Sequence, residues 1–432
     1  MPLLYDIMNI EWRPVLIIWI SWLGEDLHLA EEYWVMKKKV LVIGAGTAGC
    51  AAVHKLHELD EFDITIVDKA DHLGAGVRTN FHGGHPYTFG PRHFFTQNKE
   101  IYDYLDSIVP LRDCGDHQFI SYVEQDNEFY NFPIHMDDVR AMPDSDEILL
   151  QLENAHGVEE SKNFEEFWIN SVGVTLYEKI VKNYTEKMWQ MEASKIDTFK
   201  WSPKGVTIKD GPRAALDNCM SGYPIAIDGY NYFFDSIIGK CEILLRTSIE
   251  KFDIKNKTIV IDGEKQTYDY IVNTISPDIL FDSCFGELGY MGRDVHLIVF
   301  PTEQVFPDKV YFLYYPGTQK QTRLVEYKKF THHKDKYSLV GIEYPSQNGK
   351  HYPLPLMNEM LKAQKYYDLM PEGVFSIGRA GSYRYLVDID DCIEQAFELK
   401  RVMVEENGVS PHPVLLKRWS DIDDINPNLV KP

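Results

Sequence analysis

The chain has 432 residues, 44% of them apolar, enough to build a large core shared by two or three domains. Its 44 basic and 66 acidic side chains leave a net charge of −22, which excludes a basic nucleic-acid footprint; basic groups that hold an anionic ligand must be local exceptions in an acidic surround. None of the six cysteines makes a CxxC pair and no His/Cys cluster has zinc-finger spacing, so a reduced, cytoplasmic protein is expected.

Residues 1–35 read as an N-terminal extension. The apolar run from Val15 to Leu23 is too short to span a bilayer. Asp6 and Glu11 precede it and no small-residue cleavage site follows, which argues against a secretory signal. Met36 then opens KKKVLVIGAG, which has the look of a natural start. The alternative is an amphipathic segment that packs on a partner or a membrane surface.

Lys39 to Ile43 is expected to be a buried parallel strand, because its apolar run is continuous and β-branched. Gly44, Gly46 and Gly49 follow, then a helix, AAVHKLHELD, and a second strand, Asp63 to Val67, that ends at Asp68. In such a βαβ unit the glycines permit a tight turn and close approach of backbone to a pyrophosphate. The helix N-terminus faces the phosphate charge, and Asp68 is placed to accept from a ribose hydroxyl. Thr47, Ala48, Lys69 and Gly76 complete this candidate cofactor set.

Residues 74–96 are rich in Gly, His and aromatics and end in GPRHFFT. His82, His85 and His93 have partial ligand spacing, but no third-ligand pattern supports a metal, and none is expected. Helical periodicity covers 97–108 and 145–195. Short alternating strands follow over 242–282 and again over 295–344, for which antiparallel sheet is expected. GVFSIG returns as a strand and Asp390 to Val404 as a helix. Residues beyond 408 read as a surface tail.

Several segments, in order, carry a family likeness: VLVIGAGTAG, FGPRHFFTQN, NFPI, LYEKIVKNYTEKMW, YPIAIDGY, FDSCFGELGY, QTRLVEYKKF and GRAGSYRYLVDID. With these residues the chain resembles the flavin-dependent UDP-galactopyranose mutases from about residue 37 to about 404. That resemblance implies an α/β fold: a Rossmann-type FAD-binding domain with an inserted helical domain and an antiparallel β-sheet domain. The FAD-binding domain is expected from 37–96, 225–280 and 369–406. The helical domain is expected from 97–115 and 140–222, with a mobile substrate loop near 197–215. The sheet domain is expected from 116–139 and 281–368, and a tail from 407–432.

The family interconverts pyranose and furanose forms of a nucleotide-linked sugar for furanose-containing glycans. The resemblance implies FAD active in its reduced form, whose N5 attacks the anomeric carbon, expels the nucleotide diphosphate and carries the sugar as an iminium while its ring opens and recloses. It also implies an external reductant such as NAD(P)H, and a homodimer. Arg323 matches the family arginine that binds the diphosphate by charge-assisted, bidentate hydrogen bonds. Tyr385 matches a tyrosine on the same diphosphate, and Asp388 a nearby carboxylate, with one inserted residue. Tyr184, Thr185 and Trp189 match residues lining the nucleotide and sugar pocket. Arg379, Asp388 and Ile389, at the start of the last helix, match the flavin pyrophosphate side.

Other positions depart from the pattern. Counting back from YPIAIDGY puts Lys204 where the family has a second diphosphate arginine on a closing loop, with Arg213 as the alternative, and Ala215 falls near a family tyrosine. Arg92 and Phe95 stand where histidines are usual. The same reaction class on a different nucleotide sugar is therefore expected, with UDP-galactose still open. Two rivals share the cofactor segments: an FAD oxidoreductase of the amine-oxidase type, which has no need of a cationic diphosphate clamp, and a non-catalytic flavoprotein that binds nucleotide sugars.

Overall fold

The computed structural model describes residues 37–197, 208–216 and 218–415. At its centre lies a five-stranded, wholly parallel sheet in the order Glu242–Leu244, Phe62–Val67, Lys38–Ile43, Tyr270–Asn273, Val374–Ser376. The continuous apolar run of the first strand is explained by burial on both faces. Val40 and Val42 pack with helices Thr47–His57 and Ile389–Glu405, through Ala51, Val53, Ile393 and Ala396. Leu41 and Ile43 pack on the opposite face with Ile254, Ile259, Ile261 and Ile271. Each such side chain contributes about 1.5–3 kcal/mol of burial.

A seven-stranded sheet runs in the order Tyr352–Pro353, Tyr290–Phe300, Ser338–Ser346, Arg323–Glu326, Val310–Tyr314, Gln118–Val123, Glu128–Phe132. All its pairings are antiparallel except the one between Val310–Tyr314 and Gln118–Val123. Against it packs a helical layer, Ser145–Glu153, Phe164–Val172 and Val174–Trp189, whose interior holds Trp168, Val172, Leu176 and Tyr177. The last of these helices is interrupted: Tyr177–Val181 is a π turn, and α-helix resumes from Lys182 to Trp189. Such turns rotate the residues that follow them relative to a regular helix.

The Rossmann-type, mixed α/β reading is borne out, with one correction. The strands of 242–282 are not one antiparallel set. Only Lys251–Asp253, Thr258–Ile261 and Glu264–Thr267 form an antiparallel sheet, whereas Glu242–Leu244 and Tyr270–Asn273 belong to the parallel one. Tyr270–Asn273 is buried at all four positions, the mark of a strand covered on both faces; the alternation in its sequence comes from Asp269, just outside it. Among the described residues no helix is long and apolar enough to cross a membrane.

Candidate functional site

The first half of the site is the turn between strand Lys38–Ile43 and helix Thr47–His57. Gly44 has φ of +98°, and a Cβ there would lie 2.3 Å from Thr274 Oγ1. A Cβ on Gly49 would lie 2.0 Å from the Gly44 carbonyl oxygen. Neither position tolerates a side chain. Gly46 differs: it caps the helix with no side-chain acceptor, and its nearest neighbour would be Ala75 Cβ at 3.6 Å. The helix therefore begins with uncapped amides beside open space, and the buried Thr47 Oγ1 has no partner among the described residues. Uncapped amides at a helix start are the donors an anion takes up, so this cradle fits the pyrophosphate of a dinucleotide such as FAD.

Around that turn, Ala48 is buried beneath Gly378, where a Cβ would approach it to 2.8 Å, and Lys69 is exposed beside Asp68. Asp68 accepts from the amides of Ala45 at 2.6 Å and Ala70 at 2.8 Å, so here its carboxylate braces the turn. Gly76 accepts through its carbonyl from Arg92 Nε at 3.2 Å.

The second half is a cavity of about 290 Å³ between the seven-stranded sheet, the helical layer and the start of the last helix. Tyr184, Thr185, Trp189, Arg323, Arg379, Tyr385, Asp388 and Ile389, all candidates from the sequence, line it together. On helix Lys182–Trp189, Tyr184, Thr185, Met188 and Trp189 share the face turned to the cavity. The Trp189 ring meets Tyr385 edge-on at 5.2 Å between centroids, and Tyr184 meets Tyr314 at 5.8 Å. Tyr383 is a core residue, with its hydroxyl donating to the Gly289 carbonyl at 2.6 Å and φ of +47°. That left-handed backbone is costly for a tyrosine. It turns the chain two residues before Tyr385.

Four guanidiniums surround this cavity: Arg92, Arg293, Arg323 and Arg379. Glu343, with no exposed surface, forms an ion pair with Arg293 at 2.5 Å and accepts a hydrogen bond from Arg323 Nε at 2.7 Å. Burial alone would raise its carboxyl, but Arg293 and Arg323 outweigh burial and hold it below the usual carboxylate range. Arg379 donates to the Val387 carbonyl at 2.8 Å and pairs with Asp388. Asp388 also forms a capping box with Asp391 at the start of helix Ile389–Glu405. Tyr352 lies beneath two of the cations, its ring 4.8 Å from the Arg293 guanidinium and 5.3 Å from that of Arg379. Burial would raise its phenol, yet the four arginines together bring it below the ordinary tyrosine value.

Lys204 lies outside the described residues. Arg213, the alternative to it, pairs with Asp138 at 2.8 Å and is absent from the cavity wall, and Ala215 is a buried core residue. Arg92 and Phe95, at the two substituted histidine positions, both line the cavity. Arg293, Glu343 and Tyr352 escaped sequence reasoning. The available signal was the arginine of YMGRDV, next to Asp294, and the glutamate of LVGIEYP, a lone charge inside an otherwise apolar strand. Among the described residues no cluster of three His, Cys, Asp or Glu side chains could hold a metal.

The resemblance read from the sequence is borne out by known proteins. The family model for UDP-galactopyranose mutase matches residues 179–385, and that for the NAD(P)-binding Rossmann-like domain matches residues 42–108. A probable UDP-galactopyranose mutase of Klebsiella pneumoniae is 23% identical over 84% of this chain and 93% of its own length. The dTDP-fucopyranose mutase of Escherichia coli is 23% identical over 85% of this chain and 99% of its own. In fold, the chain is similar to the crystal structure of reduced UDP-galactopyranose mutase, with TM-score 0.71 and 17% identity over 85% of this chain and 94% of that one. A putative protoporphyrinogen oxidase from Exiguobacterium shares the fold at TM-score 0.65 and 13% identity, over 85% of this chain and 98% of that one.

Proposed function

We propose that this chain, a relative of the UDP-galactopyranose mutases, interconverts the pyranose and furanose forms of a nucleotide-diphosphate hexose, UDP-galactose or a related sugar nucleotide. It is an isomerase of the sugar-mutase class. The observation that carries the reading is the group of four guanidiniums at one cavity in a chain of net charge −22. Such an exception is the environment a diphosphate needs. A flavin oxidase acting on an amine has no use for it.

In this proposal Arg323 and Tyr385 bind the diphosphate, with Glu343 fixing the fork of Arg323 through its Nε. Lys204 adds a further cation to that clamp from its own segment. Tyr184 offers a ring face to the base, and Thr185 and Trp189 wall the sugar. Arg379, Asp388 and Ile389, with the glycine turn of Gly44, Gly46 and Gly49, hold the FAD. Bound and reduced by a donor such as NAD(P)H, the flavin supplies a nucleophile toward the anomeric carbon. The largely apolar walls keep water from the reacting sugar.

The test is to incubate dithionite-reduced and oxidised protein with a panel of nucleotide hexoses, dTDP-fucose and UDP-galactose included, and to assay for furanose product. Product with reduced protein alone supports the proposal. Turnover of oxygen or another acceptor without isomer, or flavin binding with neither activity, would overturn it.

A further inference from the structure

Helix Lys182–Trp189 has a second face. Asn183, Glu186, Lys187 and Gln190 point away from the cavity into a separate depression, whose other wall is the loop 315–322. There the three N–H groups of Lys187 Nζ serve four backbone carbonyls of that loop, one N–H shared between two: Tyr315 at 2.7 Å, Gly317 at 3.2 Å, Gln319 at 2.7 Å and Gln321 at 2.9 Å. Among the described residues no carboxylate pairs with the ammonium. Glu124, which acts on it through space, spends its own oxygen on the amide and hydroxyl of Thr318 in the same loop. Burial draws the Lys187 pKa down to about 8, which leaves it protonated at neutral pH.

That loop joins the strands Val310–Tyr314 and Arg323–Glu326, and Tyr314 and Arg323 are the register partners at its root. The backbone of Tyr315 donates to Thr322 at 2.9 Å, closing the loop one step further out. Both Tyr314 and Arg323, with Pro316 of the loop itself, line the cavity. Without a cation at its centre the loop would present four converging carbonyls with no common donor, each of them a buried or half-buried acceptor that costs free energy when left unpaired.

We infer that Lys187 is a positioning residue: by filling the 315–322 loop it holds Arg323 and Tyr314 against the helix that carries Tyr184 and Trp189, and so sets the affinity of the site for its anionic ligand. A single ammonium thus joins two walls of the cavity without reaching into it. For the ligand, the inference rests on the proposed function; for the lock itself, it rests on geometry alone.

The experiment compares wild type, Lys187→Met and Lys187→Arg as full-length flavin-loaded protein. Hydrogen exchange of the 315–322 amides is read without substrate, and KM and kcat with it. Methionine keeps the length of the side chain and removes every donor. A guanidinium keeps the charge but cannot place one point donor among four carbonyls. Expected for Lys187→Met are loop exchange faster by about tenfold and a KM raised by about tenfold at nearly constant kcat, the pattern of lost uniform binding. Lys187→Arg should fall between, and it carries the same comparison if the methionine variant does not fold. Loop exchange unchanged in a folded variant would overturn the lock. Loss confined to kcat would overturn the positioning role. Wild type that binds no nucleoside diphosphate would instead overturn the functional reading, with the exchange result still standing.

Discussion

Replacing Arg323 by alanine tests the diphosphate assignment most directly. Arg323 is half-buried at the cavity wall, its Nε bonded to Glu343 at 2.7 Å. The same carboxylate is held by Arg293 at 2.5 Å, so truncating Arg323 leaves Glu343 paired and the fold intact. The loss is then that of a charge-assisted contact to the ligand. A hydrogen bond to a charged group is worth about 1.5–3 kcal/mol. Taking about 2 kcal/mol, at about 1.4 kcal/mol per factor of ten, kcat/KM should fall about 30-fold. Arg323→Lys keeps the charge without the fork and should lie between the two. The assay is steady-state isomerisation with the reduced enzyme, together with titration by nucleoside diphosphate and a thermal melt. A folded Arg323→Ala variant with kcat/KM within about threefold of wild type would refute the reasoning, because no buried phosphate contact is lost so cheaply.

Three further outcomes are expected. Gly49→Ala places a Cβ 2.0 Å from the Gly44 carbonyl oxygen, so the turn must open; flavin content, read from the visible absorbance of purified protein, should collapse, and normal content would show that the turn is not the cradle. Lys179, buried between Asp126 at 2.6 Å and Asp144 at 2.6 Å, leaves two carboxylates unpaired when changed to methionine; a destabilisation of about 3–5 kcal/mol should appear in the denaturation midpoint, and a change under about 1 kcal/mol would contradict it. Burial, then Arg92 and Arg293, lower the His351 pKa from 6.5 to about 4. The folded state therefore binds fewer protons than the unfolded chain across that window, and stability is lost as pH falls from about 6.5 to 4. His351→Gln should flatten that part of the melting-temperature profile, and an unchanged slope would reject the assignment.

What could be read from the chain itself follows from how local each feature is. The glycine turn, its strand and its helix lie within thirty consecutive residues, and NYTEKMW places its cavity face by helical spacing alone. Arg293, Glu343 and Tyr352 are different. They converge because Tyr290–Phe300, Ser338–Ser346 and Arg323–Glu326 are neighbours in one sheet, with Arg323 opposite Glu343 and Arg293 two residues from Val295, which is itself opposite Glu343. Strand order and register create that cluster, and neither is written in any one strand. The π turn at Tyr177–Val181 was likewise illegible, because a periodic pattern is read as a regular helix. The misreading of 242–282 has the same root: a short strand takes its partner from the tertiary fold and not from its own alternation.

The charge of the cavity links these residues to Arg92. Arg92, Arg293, Arg323 and Arg379, set against Glu343 and Asp388, leave an excess of two positive charges in a largely apolar enclosure. A diphosphate bridging nucleotide and sugar carries two negative charges. Neutralising such an excess in a low-dielectric site is worth far more than the same pairing at the surface, where solvent screens it. The half-buried phenol of Tyr352 lies in that field: burial would raise it, but the four cations hold it below the ordinary tyrosine value. One of the four, Arg92, which the resemblance read from the sequence aligns with a histidine, has its Nε fixed by the Gly76 carbonyl, so it joins the loop after the glycine turn to the cavity. A histidine there would be neutral under most conditions, whereas an arginine is a permanent cation. An arginine at residue 92 therefore adds a permanent charge to the cavity.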